Sequence, residues 1–355
     1  MCNRSVMIGM SGGVDSSVTA YLLQQQGFHC FGCTMHLHSS PCGGEDHTAD
    51  AKAVADRLGI PFSIYDCSRT FTGRVMEDFV TSYEQGRIPN PCIQCNKYLK
   101  FGAMLDVALE AGCSYVATGH YARIEKDPDT NRYLLKKAAD KAKDQTYFLY
   151  NLNQHQLAHT LFPLGDLTKE AARKIAEEQG FVNARKRDSQ DICFVPDGDY
   201  VAFMERHTGK TYPAGDYLDL SGKVIGTHRG AVRYTLGQRK GLGIALGAPT
   251  YVCGKDMKKN TVTLGPNEAL FAPGLRAENW NWILFPALTE PLRVTAKIRH
   301  SQTEQCATVY PEENGFARVI FDTPQRAITP GQAVVLYQGD FVVGGGTITE
   351  AITTI

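Results

Sequence analysis

A short apolar run, Ser5 to Gly9, passes through Met10, Ser11, Gly12, Gly13, Val14, Asp15, Ser16 and Ser17 into the helical pattern Val18 to Leu23. The chain must therefore turn from a strand into a helix over a loop of glycines and hydroxyls. Such a turn is an anion site. Glycines let the backbone approach phosphate oxygens, serine hydroxyls donate to them, and the helix N-terminus adds oriented amides and a partial positive charge. The common phosphate loop carries a Lys before its Ser or Thr, and here that place holds Asp15, which suits Mg²⁺ better than phosphate. Gly9, Met10, Ser11, Gly12, Gly13, Val14, Asp15 and Ser16 are the candidate nucleotide-binding residues.

Strand-like and helical stretches alternate through the first half: Val6–Gly9, a helix to Gln26, Cys30–His36, Thr48–Leu58, Phe62–Asp66, Met104–Ala111, Tyr115–Thr118 and Lys169–Gln179. That alternation predicts an α/β fold, a doubly wound parallel sheet with helices on both faces, and it places the loop where such sheets bind nucleotides. Beyond Pro196 the texture changes to short β-rich pieces broken by Gly and Pro, with almost no helical periodicity, which predicts small β domains or barrels. The expected domains are 1–195, 196–270 and 271–355, the last barrel-like, with a boundary near the cluster Pro266, Pro273 and Gly274.

The 355 residues, 43% of them hydrophobic, suffice for two or three cores, and no apolar run approaches the roughly 18 residues that span a bilayer. Met1 leads almost directly into the first strand, so a cytoplasmic protein is expected. Lys plus Arg equals Asp plus Glu at 37 each, so any nucleic-acid contact must rest on local patches. Eleven cysteines, an odd number in a large chain, read as thiols rather than a disulfide framework.

Among them, Cys92 and Cys95 follow Pro89, Asn90 and Pro91 and precede Lys97 and Lys100. Nearby cations and a helix N-terminus depress a thiol pKa, so Cys95 is a candidate nucleophile. Cys193 lies in a polar, charged segment, Lys186 to Val195, at the end of the α/β part. Cys30 and Cys33 could be joined with Cys92 and Cys95 into a four-thiolate zinc site, but residues i and i+3 of a strand point to opposite faces. Cys2, Cys67, Cys113, Cys253 and Cys306 have no partner pattern and read as packing residues.

The loop Ser11 to Ser17 resembles that of the ATP pyrophosphatases, which cleave ATP between the α and β phosphates. Together with Asn90 to Lys97, Ala117 to Arg123, Lys143 to Leu149, Gln190 to Val195, Tyr234 to Gly243 and Arg326 to Gln332, in that order, it makes the chain resemble the tRNA-specific 2-thiouridylases over its whole length. The resemblance implies ATP-dependent 2-thiolation of the wobble uridine of tRNA. ATP adenylates the C2 oxygen, Cys193 carries sulfur as a persulfide, and Cys95 closes a disulfide with Cys193 as sulfur leaves. It further implies ATP contacts at Met35 and Gly119, and tRNA contacts at Asn90, Pro91, Cys92, His120, Lys143, Asp144, Gln145, Arg299, His300 and Gln332. The implied partners are tRNA and a sulfur-donor protein, a cysteine desulfurase or relay protein, with Mg²⁺ accompanying ATP and the chain acting as a monomer away from membranes.

One departure stands out. The family commonly carries Asp three residues before the nucleophilic Cys, and this chain has Cys92, a weaker acid and hydrogen-bonding partner. Cys92, Cys95 and Cys193 could then hold a [4Fe–4S] cluster with one open iron, an alternative route for sulfur. Two other readings keep the loop and discard the cysteines: an amide-forming synthetase, and an RNA-binding protein with a relic nucleotide domain.

Overall fold

The computed structural model describes residues 4–37, 47–186 and 192–354. Cys2, Cys42 and residues 187–191 of the Cys193 segment lie outside them.

Strands β1 (Ser5–Gly9), β2 (His29–His36) and β3 (Phe62–Asp66) alternate with helices α1 (Val14–Gln25) and α2 (His47–Leu58). With β4 (Tyr115–Ala117) and β7 (Thr160–Leu161) they form one parallel sheet in the order β3-β2-β1-β4-β7. The order reverses at β1, so the loop after β1 opens at the switch point of the sheet, where the carboxyl ends of strands leave a crevice. Alternation along β1 feeds two cores: Val6 and Ile8 join α1, α2 and α8 (Lys169–Glu178), while Met7 faces the other layer.

Between β3 and β4 the chain is helical rather than a connecting loop. α3 (Ser68–Phe71) and α4 (Glu77–Glu84) are joined by one π-helical stretch, Thr72–Met76, and α5 (Pro91–Cys95) and α6 (Met104–Glu110) by another, Asn96–Ala103. The hairpin β5 (Ala122–Lys126) and β6 (Tyr133–Lys137) leaves the parallel sheet, and α7 (Gln154–Ala158) precedes β7.

After Pro196 a helix, α9 (Tyr200–Thr208), stands where the sequence pattern predicted β structure alone. A four-stranded sheet of β8 (Gly215–Leu218), β9 (Val224–His228), β10 (Tyr251–Asp256) and β11 (Thr261–Gly265) follows, and the expected strand Ala231–Tyr234 is a 3-10 turn. The remaining strands, β12 (Phe271–Trp282), β13 (Leu292–Lys297), β14 (Gln305–Pro311), β15 (Ala317–Arg326), β16 (Ala333–Gln338) and β17 (Phe341–Ile352), run antiparallel and close into a six-stranded barrel through the β12–β17 pairing. The β5–β6 hairpin attaches to this barrel at Phe341 and Lys136, and Ile283, Val335, Tyr337 and Val342 share a core with Met7, Phe101 and Leu105. No helix among the described residues is long and apolar enough to cross a membrane.

Candidate active site

One cavity of about 760 Å³ receives the loop after β1, the end of β2, α5, the Cys193 segment, Lys143 to Gln145 and His300 of the barrel. Its floor is the loop. Gly12 takes a left-handed φ of +70°, and Gly13 caps α1 without any side-chain hydrogen bond, so the first amides of this helix are left for a ligand. Ser16 and Ser17 donate to the Gly13 carbonyl at 3.1 and 3.0 Å, and buried Asn183 donates to the Gly12 carbonyl at 3.0 Å and to Ser17 Oγ at 2.9 Å. Gly119 lies where an added Cβ would come within 2.7 Å of Asp15 backbone, so only glycine lets the β4 turn back the loop this closely. Met10, Met35 and Leu37 give the cavity an apolar wall beside it.

Asp15 is already engaged. Lys169 Nζ donates to both its carboxylate oxygens at 2.8 and 2.7 Å, and Tyr121 OH donates at 3.0 Å. Mg²⁺ arriving with a nucleotide would share a carboxylate that Lys169 and Tyr121 have oriented and largely neutralised. Asn183 and Lys169 were missed by sequence reading because both lie more than 150 residues from the loop, with |i−j| of 171 and 154.

At the other end stand the cysteines. Asn90 accepts from Cys92 N–H at 3.2 Å and Pro91 occupies the first turn, so α5 starts there and presents Cys92 and Cys95 to the cavity. Cys95 is buried, while Cys92 and Cys193 are exposed, opening onto the cavity with Cys33 nearby. Phe194 fixes the position of Cys193, since its ring sits edge-on to Phe71 and Phe79 at 5.6 and 5.2 Å and 5.0 Å from Phe203.

Activated thiolates were expected, and the structure reverses that expectation for the free protein. Desolvation by the surrounding cavity walls pushes all three thiols up, Cys193 to about 11 although its side chain opens onto the cavity, with the neighbouring thiols adding to the rise at Cys95 and Cys193, and Lys100 alone among nearby cations pulls all three the other way. The physical reason is local. Cys95 is the last residue of α5, not at a helix N-terminus, and Lys97 lies over the Tyr98 ring instead of the thiol.

The remaining candidates divide. His120, Lys143, Asp144, Gln145, Pro91 and His300 line the cavity. His120 is buried, 2.7 Å from Thr118 Oγ1 through Nδ1, and desolvation holds its pKa well below the usual histidine range. Asp144 accepts from Ala138 N–H at 3.0 Å and Thr146 Oγ1 at 2.6 Å, and Gln145 accepts from Tyr121 N–H. Asn90, Arg299 and Gln332 are not among the residues lining the cavity. Arg299 donates to the carbonyls of Arg326 and Ala327, and Gln332 Nε2 donates to the Ile88 carbonyl at 2.8 Å. Cys30 joins the core under α1 while Cys33 joins the opposite one, and among the described residues no three His, Cys, Asp or Glu side chains are placed to hold a metal ion. Cys92, Cys95 and Cys193 line one cavity.

Family models described as the tRNA methyl transferase HUP domain, the tRNA methyl transferase PRC-barrel domain and the aminomethyltransferase β-barrel domain match residues 4–197, 201–266 and 272–348. The tRNA-specific 2-thiouridylase MnmA of Clostridioides difficile (strain 630) is 48% identical over 99% of both chains. The chain belongs to the 2-thiouridylase family. The enzyme of the same description from Acetivibrio thermocellus is 49% identical over 98% of this chain and 100% of its own. A solved 4-thiouridine synthetase–RNA complex with bound ATP overlaps loosely, at a TM-score of 0.35 and 15% identity over 58% of this chain and 50% of its own.

Proposed function

We propose that this protein is an enzyme, a tRNA-uridine 2-sulfurtransferase that spends ATP to AMP and pyrophosphate in converting the wobble uridine of tRNA to 2-thiouridine. The observation that carries this reading is that the loop after β1 and the thiols Cys92, Cys95 and Cys193 line one cavity. A nucleotide and a sulfur carrier are thus within reach of one substrate atom. The tRNA-specific name of the relatives supports the substrate.

The triphosphate lies on the α1 amides and the Ser11 and Ser16 hydroxyls, with adenine against Met35 and Leu37. Asp15 would hold the Mg²⁺ that comes with the phosphates, and the ion would supply charge neutralisation there. A uridine C2 oxygen is a poor leaving group, so its attack on the α phosphorus, with pyrophosphate departing, creates one. The terminal sulfur of a Cys193 persulfide then attacks C2 and AMP leaves, giving a Cys193–S–S–C2 adduct. Cys95 thiolate attacks the Cys193 sulfur, so that 2-thiouridine departs and a Cys95–Cys193 disulfide remains, to be reduced by an external thiol before the next round. Lys100 is the cation placed to favour the thiolate forms. His120, held neutral, can accept or donate one hydrogen bond at Nε2 without carrying charge into the cavity.

Protein, ATP, Mg²⁺, a cysteine desulfurase with free cysteine as sulfur source, a reducing thiol and unmodified tRNA should yield 2-thiouridine by nucleoside mass spectrometry with one AMP per thiouridine. Cys95→Ser and Cys193→Ser should each abolish it. Neither product appearing would sink the assignment, and AMP formation that survives both substitutions with an amine acceptor would favour an amide-forming synthetase. An iron–sulfur route would require stoichiometric iron and acid-labile sulfide in anaerobically prepared protein.

A further inference from the structure

A base brought out of an RNA loop loses its stacking partners and is held by aromatic faces in the protein. Six aromatic residues line the cavity: Phe71, Tyr121, Phe194, His120, Phe148 and His300. The first four are buried at 0, 2, 6 and 8% exposure and have their rings committed to packing. Phe148 is half-buried and His300 exposed. These two rings pack against each other in a tilted arrangement, with centroids 4.4 Å apart and planes 33° apart, one from the segment after Lys143–Gln145 and the other from the barrel.

Their placement ties them to the chemistry. Asn96, the residue after Cys95, is buried and donates from Nδ2 to the Phe148 carbonyl at 3.0 Å, so the position of this ring is set by the helix that carries Cys95. Tyr147, whose hydroxyl donates to the Ala333 carbonyl, holds the same segment to the barrel from beneath, 6.0 Å from His300. The pair therefore bridges the nucleotide domain and the barrel in the wall of the cavity.

We propose that the Phe148–His300 pair is the stacking platform for the extruded target base, presenting its C2 edge toward Cys95 and Cys193. This rests on the thiolation reading for the identity of the base, while the platform itself is an aromatic subsite distinct from the Met35 and Leu37 wall of the nucleotide. Phe148 is a binding residue that no motif spacing picks out. A phosphate contact positions RNA, whereas an aromatic face holds a base lifted from its stack.

The test uses full-length protein and an anticodon stem-loop carrying 2-aminopurine at the target position, whose fluorescence reports stacking. Wild-type protein should change that signal on binding. Phe148→Leu should abolish the change while RNA affinity stays within about threefold, and should lower kcat/KM for thiolation of tRNA about 10- to 100-fold, with KM for ATP unchanged. Phe148→Tyr should retain both signal and rate. His300→Ala, at an exposed loop position, gives the same comparison without touching the core and should also lose the signal. A Phe148→Leu enzyme with normal kcat/KM, or one whose defect lies in KM for ATP, would overturn the proposal. If wild-type protein binds the stem-loop and shows the fluorescence change but forms no thiouridine, the thiolation reading fails while the platform stands.

Discussion

Lys100 is the residue on which the reactivity of this site turns. Its ammonium group lies in the cavity within electrostatic reach of Cys92, Cys95, Cys193 and His120, and it makes no hydrogen bond or ion pair with another described residue. It is thus a cation available to an incoming anion, either a thiolate or a phosphate. Removing one positive charge within electrostatic reach of a partly desolvated thiol costs its thiolate on the order of 1–2 kcal/mol. Lys100→Met should therefore slow alkylation of Cys193 at pH 8 about tenfold, measured by mass spectrometry of the iodoacetamide adduct, and Lys100→Arg should recover most of it. In wild-type free protein the Cys193 alkylation rate should keep rising past pH 9 toward about 11 instead of levelling near 8.5. His120 makes the opposite demand. Because its folded pKa lies below its unfolded one, the unfolded chain binds more protons as pH falls below about 6.5. Stability should therefore be full above that pH and decline by about 1.4 kcal/mol per unit below it, down to the folded pKa. Urea midpoints at pH 5.5 and 7.5 would show the slope, and His120→Asn should reduce it, leaving the part due to His228 and His300, whose pKa values desolvation also lowers.

Among the elements, α5 matters most, and its position is set from far away in the chain. The strand-to-helix turn of the first loop could be read from its glycines and serines, because backbone preference acts within a few residues. The start of α5 at Asn90 and Pro91 follows from the same local rules. Its orientation does not. The barrel segment Pro330 to Gln332 clamps the approach to α5. Ile88 N–H donates to the Pro330 carbonyl at 2.8 Å, Gln332 donates to the Ile88 carbonyl, and Gly331, at a φ of +90°, leaves no room for a Cβ within 2.8 Å of Ile88 N. Gln332 thus has a structural partner in the free protein, whatever it does with tRNA. Gln332→Ala should lower kcat for thiolation about tenfold through misplaced Cys95, leaving KM for ATP and the alkylation rate of Cys193 unchanged. A change confined to KM for tRNA would instead assign Gln332 to direct RNA contact. The alternating pattern of the first half likewise announced the parallel sheet, but the π-helical stretches on either side of α4 and α5 left no periodic signature, and the β5–β6 hairpin was invisible because its partner, β17, is some 200 residues away.

Across the whole molecule, the three parts are not independent beads. The core that holds Met7 and Phe101 under the sheet also holds Ile283, Val335 and Val342 of the barrel, each aliphatic side chain worth about 1.5–3 kcal/mol when buried. Arg123 reaches Asp340 and Lys137 reaches Glu304 across the same seam. A chain truncated after residue 270 should therefore lose several kcal/mol and aggregate or unfold on purification, which circular dichroism melts of 1–270 against the full chain would show. A barrel that only supplied an RNA-binding surface would leave the melting temperature of 1–270 within a few degrees of the whole.

The sequence by itself determined the kit of parts: a phosphate-binding turn with Asp15 in place of Lys, cysteines at 92, 95 and 193, and the order of an α/β half followed by two smaller β-rich parts. These are matters of backbone propensity and residue chemistry, carried by near neighbours. Only the tertiary structure decided that Lys169 and Tyr121 hold Asp15, that the thiols are suppressed by desolvation against the pull of Lys100, and that the barrel reaches into the cavity with His300. Desolvation and charge pairing depend on which distant segments close over a group, and no pattern along the chain records that closure.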